Sequence, residues 1–351
     1  MRILFLTTRS CLGGAQSVVL NLANGLCTDN EVAVAAGVDD GKEASILWDL
    51  LLPSVRKYRV LDLVKKIDPA KDIKAAIVIR RIYKEFKPDV IHLHSSKASV
   101  LGRLVLPKKK IIYTVHGFDT IRIANRKFLP IERILQYRCR YIVCVSQYDY
   151  DNLKEEKIWK NVSVIFNGLA IPITKENKEL NLFSSVKKNI LCIARVSPPK
   201  RHDLFIQIAK QLPEYNFVWI GNLEPIEGTP ENCFFAGNIP NAGAFCSNAD
   251  LFILASDYEG LPMTIIEAMS HGLPVVSSNV GGVHEIVKNN ENGFVVPNNA
   301  DDFVKKIKVI LENELLYSQM SHASKSFYEL YLTVDKMISN YYELYKQIAN
   351  V

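Results

Sequence analysis

The chain has no apolar run of the about 18 to 20 residues that a helix needs to cross a bilayer. Its opening apolar stretch, Ile3–Leu6, is short and gives way to Thr7-Thr8-Arg9, so a secretory leader is not expected. No C-x-x-C occurs. The seven cysteines are odd in number and scattered, and most fall in apolar runs. That pattern excludes a disulfide framework and reads as core thiols of a reducing compartment. The glycine pair at Gly13-Gly14 lacks the full G-x-G-x-x-G, so a nicotinamide-binding reading is poor. No nucleic-acid-binding motif accompanies the basic residues. What remains is an ordinary globular composition of 351 residues, 23% charged and 48% hydrophobic, with length for two domains and a cytoplasmic location expected.

The net charge of +6 conceals an asymmetry. Residues 1–170 carry 28 Lys+Arg against 17 Asp+Glu, whereas residues 171–351 carry 15 against 20. Within 56–110 the count is 16 to 5, with a compact Lys108-Lys109-Lys110 cluster. Arg122, Arg126, Lys127, Arg133, Arg138 and Arg140 follow, interleaved with Ile123, Phe128, Leu129, Ile131, Ile134 and Leu135. Basic faces with apolar interleaving can rest on an anionic bilayer, each cation contributing about 1 kcal/mol near the surface. A helix packed in its own domain with a solvated face explains 122–140 equally well. The asymmetry of the whole half favours an anionic partner.

Apolar strand-like runs alternate with helix-like stretches along the chain. Ile3–Thr7, Glu31–Val38, Asp89–His94, Ile111–Val115, Tyr141–Val145 and Val162–Phe166 form one series. Ile190–Ala194, Phe217–Ile220, Cys233–Ala236, Leu251–Leu254, Pro274–Ser277 and Phe294–Val296 form a second. Runs of this kind indicate parallel strands buried on both faces, hence two doubly wound α/β halves with ligands at the carboxyl ends of the strands. Asn167-Gly168 and Ile171-Pro172 mark the boundary, followed by a polar stretch from Thr174 to Lys188. The domains expected are 1–172, 173–330 and a terminal helical segment, 331–351, with apolar spacing at Met337, Ile338, Tyr341, Tyr342 and Tyr345.

The densest chemistry lies in Glu259-Gly260-Leu261-Pro262-Met263-Thr264-Ile265-Ile266-Glu267. Pro262 suits the first turn of a helix, which puts Glu259 in the loop above its N-terminus and Glu267 near the second turn. The free amides of Met263, Thr264 and Ile265 then form an anion site. Carboxylates accept hydrogen bonds from sugar hydroxyls, and amides donate to phosphate, so one stretch can hold both halves of a sugar nucleotide. A buried helix with two solvated acids is the bland alternative. Elsewhere, Gly13-Gly14 precedes a helix and Arg195 follows a strand, with Lys200 five residues later. Asp149-Tyr150-Asp151 resembles a D-x-D metal motif, but it follows Ser146-Gln147 at a helix start and reads as capping. His92, His94 and His116 lie at neighbouring strand ends, where a zinc site is conceivable but hydrogen-bonded strand histidines are commoner. Ser96 and Lys97 open a helix and are weak candidates for an acceptor phosphate, with N-capping as the default.

The acid-flanked stretch, with Gly272-Leu273-Pro274 and Gly281-Gly282-Val283-His284-Glu285 behind it, resembles the donor-binding region of the retaining, group 1 glycosyltransferases of family 4. The resemblance covers nearly the whole chain. It implies a GT-B fold: two Rossmann-like domains facing each other across a cleft, with a terminal helix crossing back to the first. It also implies a nucleoside-diphosphate sugar donor, uridine ahead of guanosine, and neither metal nor cofactor. Arg195 and Lys200 match the family's clamp on the pyrophosphate, His116 in Val115-His116-Gly117 its histidine beside the transferring sugar, and Gly13-Gly14 the loop facing the diphosphate. Glu259, Gly260 and Leu261 fall to the hexose side, and Glu267 to the ribose diol. With two cations and a helix dipole of roughly half a charge at the leaving diphosphate, catalysis is expected to be electrostatic and positional. The acceptor expected is a glycan or polyprenyl-diphosphate-linked sugar in cell-surface polysaccharide assembly, met on the cytosolic face of the membrane. Two rivals share the fold or the ligand: a sugar-nucleotide epimerase and a non-catalytic sugar-nucleotide-binding subunit.

Overall fold

The computed structural model describes residues 1–11, 13–38, 46–171 and 182–349. Leu12 of the first glycine turn lies outside the described residues, as do Pro172 and residues 174–181 of the boundary stretch. Contacts divide the chain into two units, Met1–Gly168 with Val334–Val351, and Leu169–Thr333. These divisions fall a few residues from 172 and 330. Both connecting segments are tied into the second unit, where the Leu169 amide donates to the Leu332 carbonyl at 3.0 Å.

In the first unit the strands are β1 (Arg2–Thr7), β2 (Glu31–Ala36), β3 (Arg56–Arg59), β4 (Val90–His94), β5 (Ile111–Val115), β6 (Tyr141–Cys144) and β7 (Val162–Val164). They form a parallel sheet in the order β3-β2-β1-β4-β5-β6-β7. Every residue of β4 and β5 is buried, which is why these strands read as apolar runs without alternation. Strand β3 is the exception. Arg-Lys-Tyr-Arg carries no apolar signal, because an edge strand has one neighbour and tolerates charge.

One face of this sheet, including Leu4, Leu6, Ile91, Leu93, Ile111 and Tyr113, packs against the helices Pro69–Phe86, Ser96–Val105 and Leu129–Leu135. The other face meets the helices Gly14–Leu26 and Val334–Ala349. The terminal helix buries Met337, Tyr341, Leu344, Tyr345 and Ile348, each large side chain contributing about 1.5–3 kcal/mol. Gly25 makes room for it, since a Cβ there would collide with the Ile338 side chain.

The second unit repeats the plan with β8 (Asn189–Ile193), β9 (Asn216–Ile220), β10 (Cys233–Phe235), β11 (Leu251–Leu254), β12 (Val275–Ser278) and β13 (Gly293–Val296). Their order is β10-β9-β8-β11-β12-β13, all parallel. In each sheet the order reverses once: between β1 and β4, and between β8 and β11. The loops leaving two such neighbours diverge to opposite faces and open a crevice at their carboxyl ends, where doubly wound sheets hold ligands.

Candidate active site

The reversal point of the second unit brings most of the singled-out residues together. At the end of β8 the Ala194 carbonyl accepts from the Trp219 indole at 2.7 Å. Gly221, at φ +123°, passes so close to that carbonyl that a Cβ would strike it. The strand end is therefore rigid where Arg195 leaves it. Arg195 is exposed and has no ion-pair partner among the described residues. The loop beyond it is zipped to the loop after β11: the Arg201 amide donates to the Ala255 carbonyl, and the Asp257 amide to the Pro199 carbonyl, both at 3.0 Å. This zipper sets the Lys200 ammonium against the Glu259 carboxylate in an ion pair whose side chains are 20% and 11% exposed. Gly260 accepts from the Gly282 amide at 3.0 Å, and Gly281, at φ +55°, sits directly on the Glu259 carbonyl. The Gly281-Gly282 pair thus holds the Glu259 loop backbone to backbone.

Pro262 precedes the helix Met263–Ser270. The side chains of Leu261, Met263 and Ile265 are buried, so a ligand would meet their backbone. Only part of the expected amide cluster is open. The Ile265 amide donates to the Pro262 carbonyl at 3.2 Å, because the first turn is wound tightly, and Met263 and Thr264 supply the remaining orphan donors. One turn on, the Glu267 carboxyl lies against Gly243, where a Cβ would come within 2.9 Å of its carbon. Burial raises Glu267 to about 7. Burial first, and then the Glu267 carboxylate, push the neighbouring Cys246 thiol well up.

In the first unit, Gly13 caps the helix Gly14–Leu26 in an extended conformation, its carbonyl accepting from the Ser17 amide at 2.8 Å. The turn is tied across the reversal point: Gln16 donates to Thr7 Oγ1 at 3.2 Å, and Thr7 Oγ1 meets Ser95 Oγ at 3.0 Å. Ser95 takes φ +68°, a strained value for serine, where the chain turns sharply from β4 into the helix opened by Ser96. His116 follows β5, partly buried, with Nε2 hydrogen-bonded to His94 Nδ1 at 2.8 Å. His92 is anchored to Tyr345 and Thr114 at 2.6 and 2.7 Å. Burial lowers His116 to about 4 and holds His92 and His94 well below the usual imidazole value, with the neighbouring imidazoles adding to the effect on those two. All three are neutral at pH 7.

Residues 12–171 match the family model described as Glycosyltransferase Family 4, and residues 174–327 match the one described as Glycosyl transferases group 1. The chain belongs to the family 4, group 1 glycosyltransferases. An Escherichia coli UDP-Gal:alpha-D-GlcNAc-diphosphoundecaprenol alpha-1,3-galactosyltransferase is 28% identical, across 78% of this chain and 80% of its own. The Escherichia coli O-antigen biosynthesis glycosyltransferase WbnH is 27% identical across 98% of both chains. Sucrose-phosphate synthase from Thermosynechococcus elongatus shares the fold, with a TM-score of 0.86 at 18% identity over 99% of each chain. The fold of the glycosyltransferase is GT-B.

Other residues of this glycosyltransferase find partners of their own. Lys97 pairs with Asp72 at 2.5 Å and also donates to the Lys66 carbonyl, so its ammonium points back to the preceding helix. Ser146 is the N-cap of the helix Gln147–Glu155, accepting from the Asp149 amide at 3.1 Å, and Asp149 lies in its first turn, where an acid offsets the dipole. The buried Asp149 carboxylate also accepts from the Phe118 amide at 2.8 Å and braces the loop after His116. Asp151 accepts from Gln147 at 2.8 Å. Among the described residues no three His, Cys, Asp or Glu side chains converge as a metal cage. Gly243 and Trp219 are not singled out by the sequence, and Cys246 reads there only as a core thiol. The small-residue run Ala242-Gly243-Ala244 was the available signal, but nothing local ties it to Glu267.

Proposed function

We propose that the chain transfers a sugar, with retention and without a metal, from a UDP-sugar to a glycan carried on a polyprenyl diphosphate during cell-surface polysaccharide assembly. The observation that carries this reading is the pairing of Lys200 with Glu259 at the reversal point of the second unit, where the Met263–Ser270 helix start and Arg195, without an ion-pair partner among the described residues, also lie. Fixed cations and helix amides suit the charge that grows on a departing diphosphate, and they supply it without reorganisation. Glu259, oriented by Lys200, suits the hexose hydroxyls, and Glu267 suits a ribose diol. On the first unit, His116 and the Gly13-Gly14 turn are assigned to the transferring sugar. His116 is neutral, so it acts as a hydrogen-bond partner rather than a cation.

Both carboxylates near the helix are already engaged, Glu259 by Lys200 and Glu267 by its desolvated niche. This favours same-face attack, with the leaving phosphate taking the acceptor's proton, over a covalent glycosyl-enzyme. The UDP-sugar and lipid-diphosphate assignments draw on the name of the Escherichia coli galactosyltransferase relative. Ser96 remains the acceptor-phosphate candidate; Lys97 is the weaker one because Asp72 holds it. With a lipid-borne acceptor, the place of action is the cytosolic face of an anionic membrane.

The test is transfer from UDP-galactose to a synthetic GlcNAc-diphosphate-lipid, in excess EDTA, with the anomeric configuration of the product read by NMR. An α-linked product formed at full rate is expected. A β-linked product, or activity lost in EDTA and restored by a divalent ion, overturns the mechanism.

A further inference from the structure

The carboxyl ends of β4 and β5 bring two imidazoles into one hydrogen bond. His94 ends β4, and His116 directly follows β5. In the parallel register His94 stands beside Thr114, and His116 continues the face of Thr114 two residues on. His94 Nδ1 accordingly lies 2.8 Å from His116 Nε2. His94 is also framed from behind. The His92 ring packs on it with centroids 4.0 Å apart, and the Phe5 ring lies at 6.1 Å. His92 is itself pinned by the hydroxyls of Tyr345 and Thr114, so the orientation of this stack is set by the core.

Two arrangements of protons satisfy the bond between His94 and His116. Both rings are neutral at pH 7, because burial holds them below the usual imidazole value, so one of the two facing nitrogens carries a proton and the other is bare. His94 Nε2 decides which. It is buried and has no hydrogen-bond partner among the described residues. A buried orphan N–H is rarer in folded proteins than an under-used acceptor lone pair. The His94 proton therefore sits on Nδ1 and points at His116 Nε2. His116, accepting at Nε2 and neutral, then carries its own proton on Nδ1. That is the reverse of the preference of a free imidazole in water. His116 is only partly buried, and its Nδ1 has no partner among the described residues, which leaves that N–H to a ligand.

We infer that His94 is a positioning residue that fixes His116 in its Nδ1–H tautomer, so that His116 donates a hydrogen bond to an oxygen of the transferring sugar. The chemistry of the partner sets this outcome. A carboxylate in the place of His94 would accept from Nε2–H, leave Nδ1 bare and make His116 a base, as the acid of an acyl-transfer triad does for its histidine. A neutral imidazole that donates makes His116 a donor instead, with no charge to bury.

The role of His94 rests on His116 lying beside the transferring sugar, as proposed above, yet its first readout needs no substrate. The full chain is labelled at both ring nitrogens of histidine, and long-range proton–nitrogen NMR spectra are recorded at neutral pH. Signals are assigned by their loss in His94→Phe and in His116→Gln. His94 and His116 are both expected in the Nδ1–H form, and His116 is expected to revert to Nε2–H in His94→Phe. Transfer kcat/KM should fall about tenfold in that variant, the upper end for one neutral hydrogen bond, while UDP affinity, assigned to the second unit, holds. His94→Asn, whose amide donates from the place of Nδ1, should restore the tautomer and most of the rate. A purely structural role would lower activity in both variants and leave the His116 tautomer unmoved. A wild-type His116 with its proton on Nε2 overturns the role, even if neither variant folds. So does an Nδ1–H signal that survives His94→Phe, or full-rate transfer by that variant. Both tautomers as expected, with no transfer to any acceptor, would uphold the histidine pairing and count against the transferase mechanism instead.

Discussion

Arg195 and Lys200 are both cations at one reversal point, yet they stand in different electrostatic situations. Arg195 is exposed and unpartnered among the described residues, so its removal should leave the fold alone and weaken only leaving-group stabilisation. Lys200 also neutralises the half-buried Glu259. Arg195→Ala should therefore cut kcat/KM at least tenfold, from about 1.5–3 kcal/mol for a charged hydrogen bond, with the thermal midpoint unchanged. Lys200→Ala should lose comparable activity and some stability as well, since a carboxylate is left unpaired. Full activity in both variants would remove the leaving-group assignment. Glu267 offers a test by pH. Burial raises it to about 7, and a ribose diol needs its ionised form. UDP affinity should then fall up to about tenfold per unit as pH drops below 7, and level off above it. Calorimetry with Glu267→Gln supplies the control, because a slope that survives in that variant belongs to the nucleotide's own phosphate.

Glu267 is aimed by an element far from it in sequence. The turn containing Gly243 supplies the wall behind its carboxyl, and any Cβ there comes within 2.9 Å. Gly243→Ala should push the carboxyl aside and weaken UDP binding severalfold while the helix Met263–Ser270 stays folded. Unchanged UDP affinity in this variant would separate Glu267 from the donor. This also marks where the sequence could be read and where it could not. Strands buried on both faces declare themselves as apolar runs, so β4, β5, β8, β9 and β11 were legible almost to the residue, whereas their order in the sheets, and with it the reversal points, is given by the structure alone. The acid–Gly–apolar–Pro stretch was legible because loop, helix start and carboxylates are contiguous. Edge strand β3 was hidden by its charge. The wall at Gly243 and the clamp of Trp219 on Ala194 were hidden because packing, not spacing, creates them. The bond from the Phe118 amide to Asp149 was hidden for a related reason, since that amide comes from another loop.

Across the whole molecule, protons act on the two units with opposite sign. The first unit holds His92, His94 and His116 neutral, each with its folded value below the ordinary 6.5. Below about pH 6.5 the unfolded chain binds protons that these native imidazoles refuse, so the first unit loses stability as pH falls from about 6.5 toward 4. Each linked group costs up to about 1.4 kcal/mol per pH unit. The second unit holds Glu267 raised to about 7 against an ordinary 4.5. There the native state binds the proton first, and stability increases as pH falls from about 7 toward 4.5. Hydrogen exchange read by mass spectrometry at pH 7.5 and 5.0, corrected for intrinsic rates, resolves the two. Protection of β4 and β5 should drop on acidification, while the helix Met263–Ser270 holds or gains protection relative to them. His92→Phe should lessen the loss in the first unit, since a ring that cannot be protonated removes one of the three linked groups. Parallel loss in both units would mean that neither the buried imidazoles nor Glu267 governs the acid response.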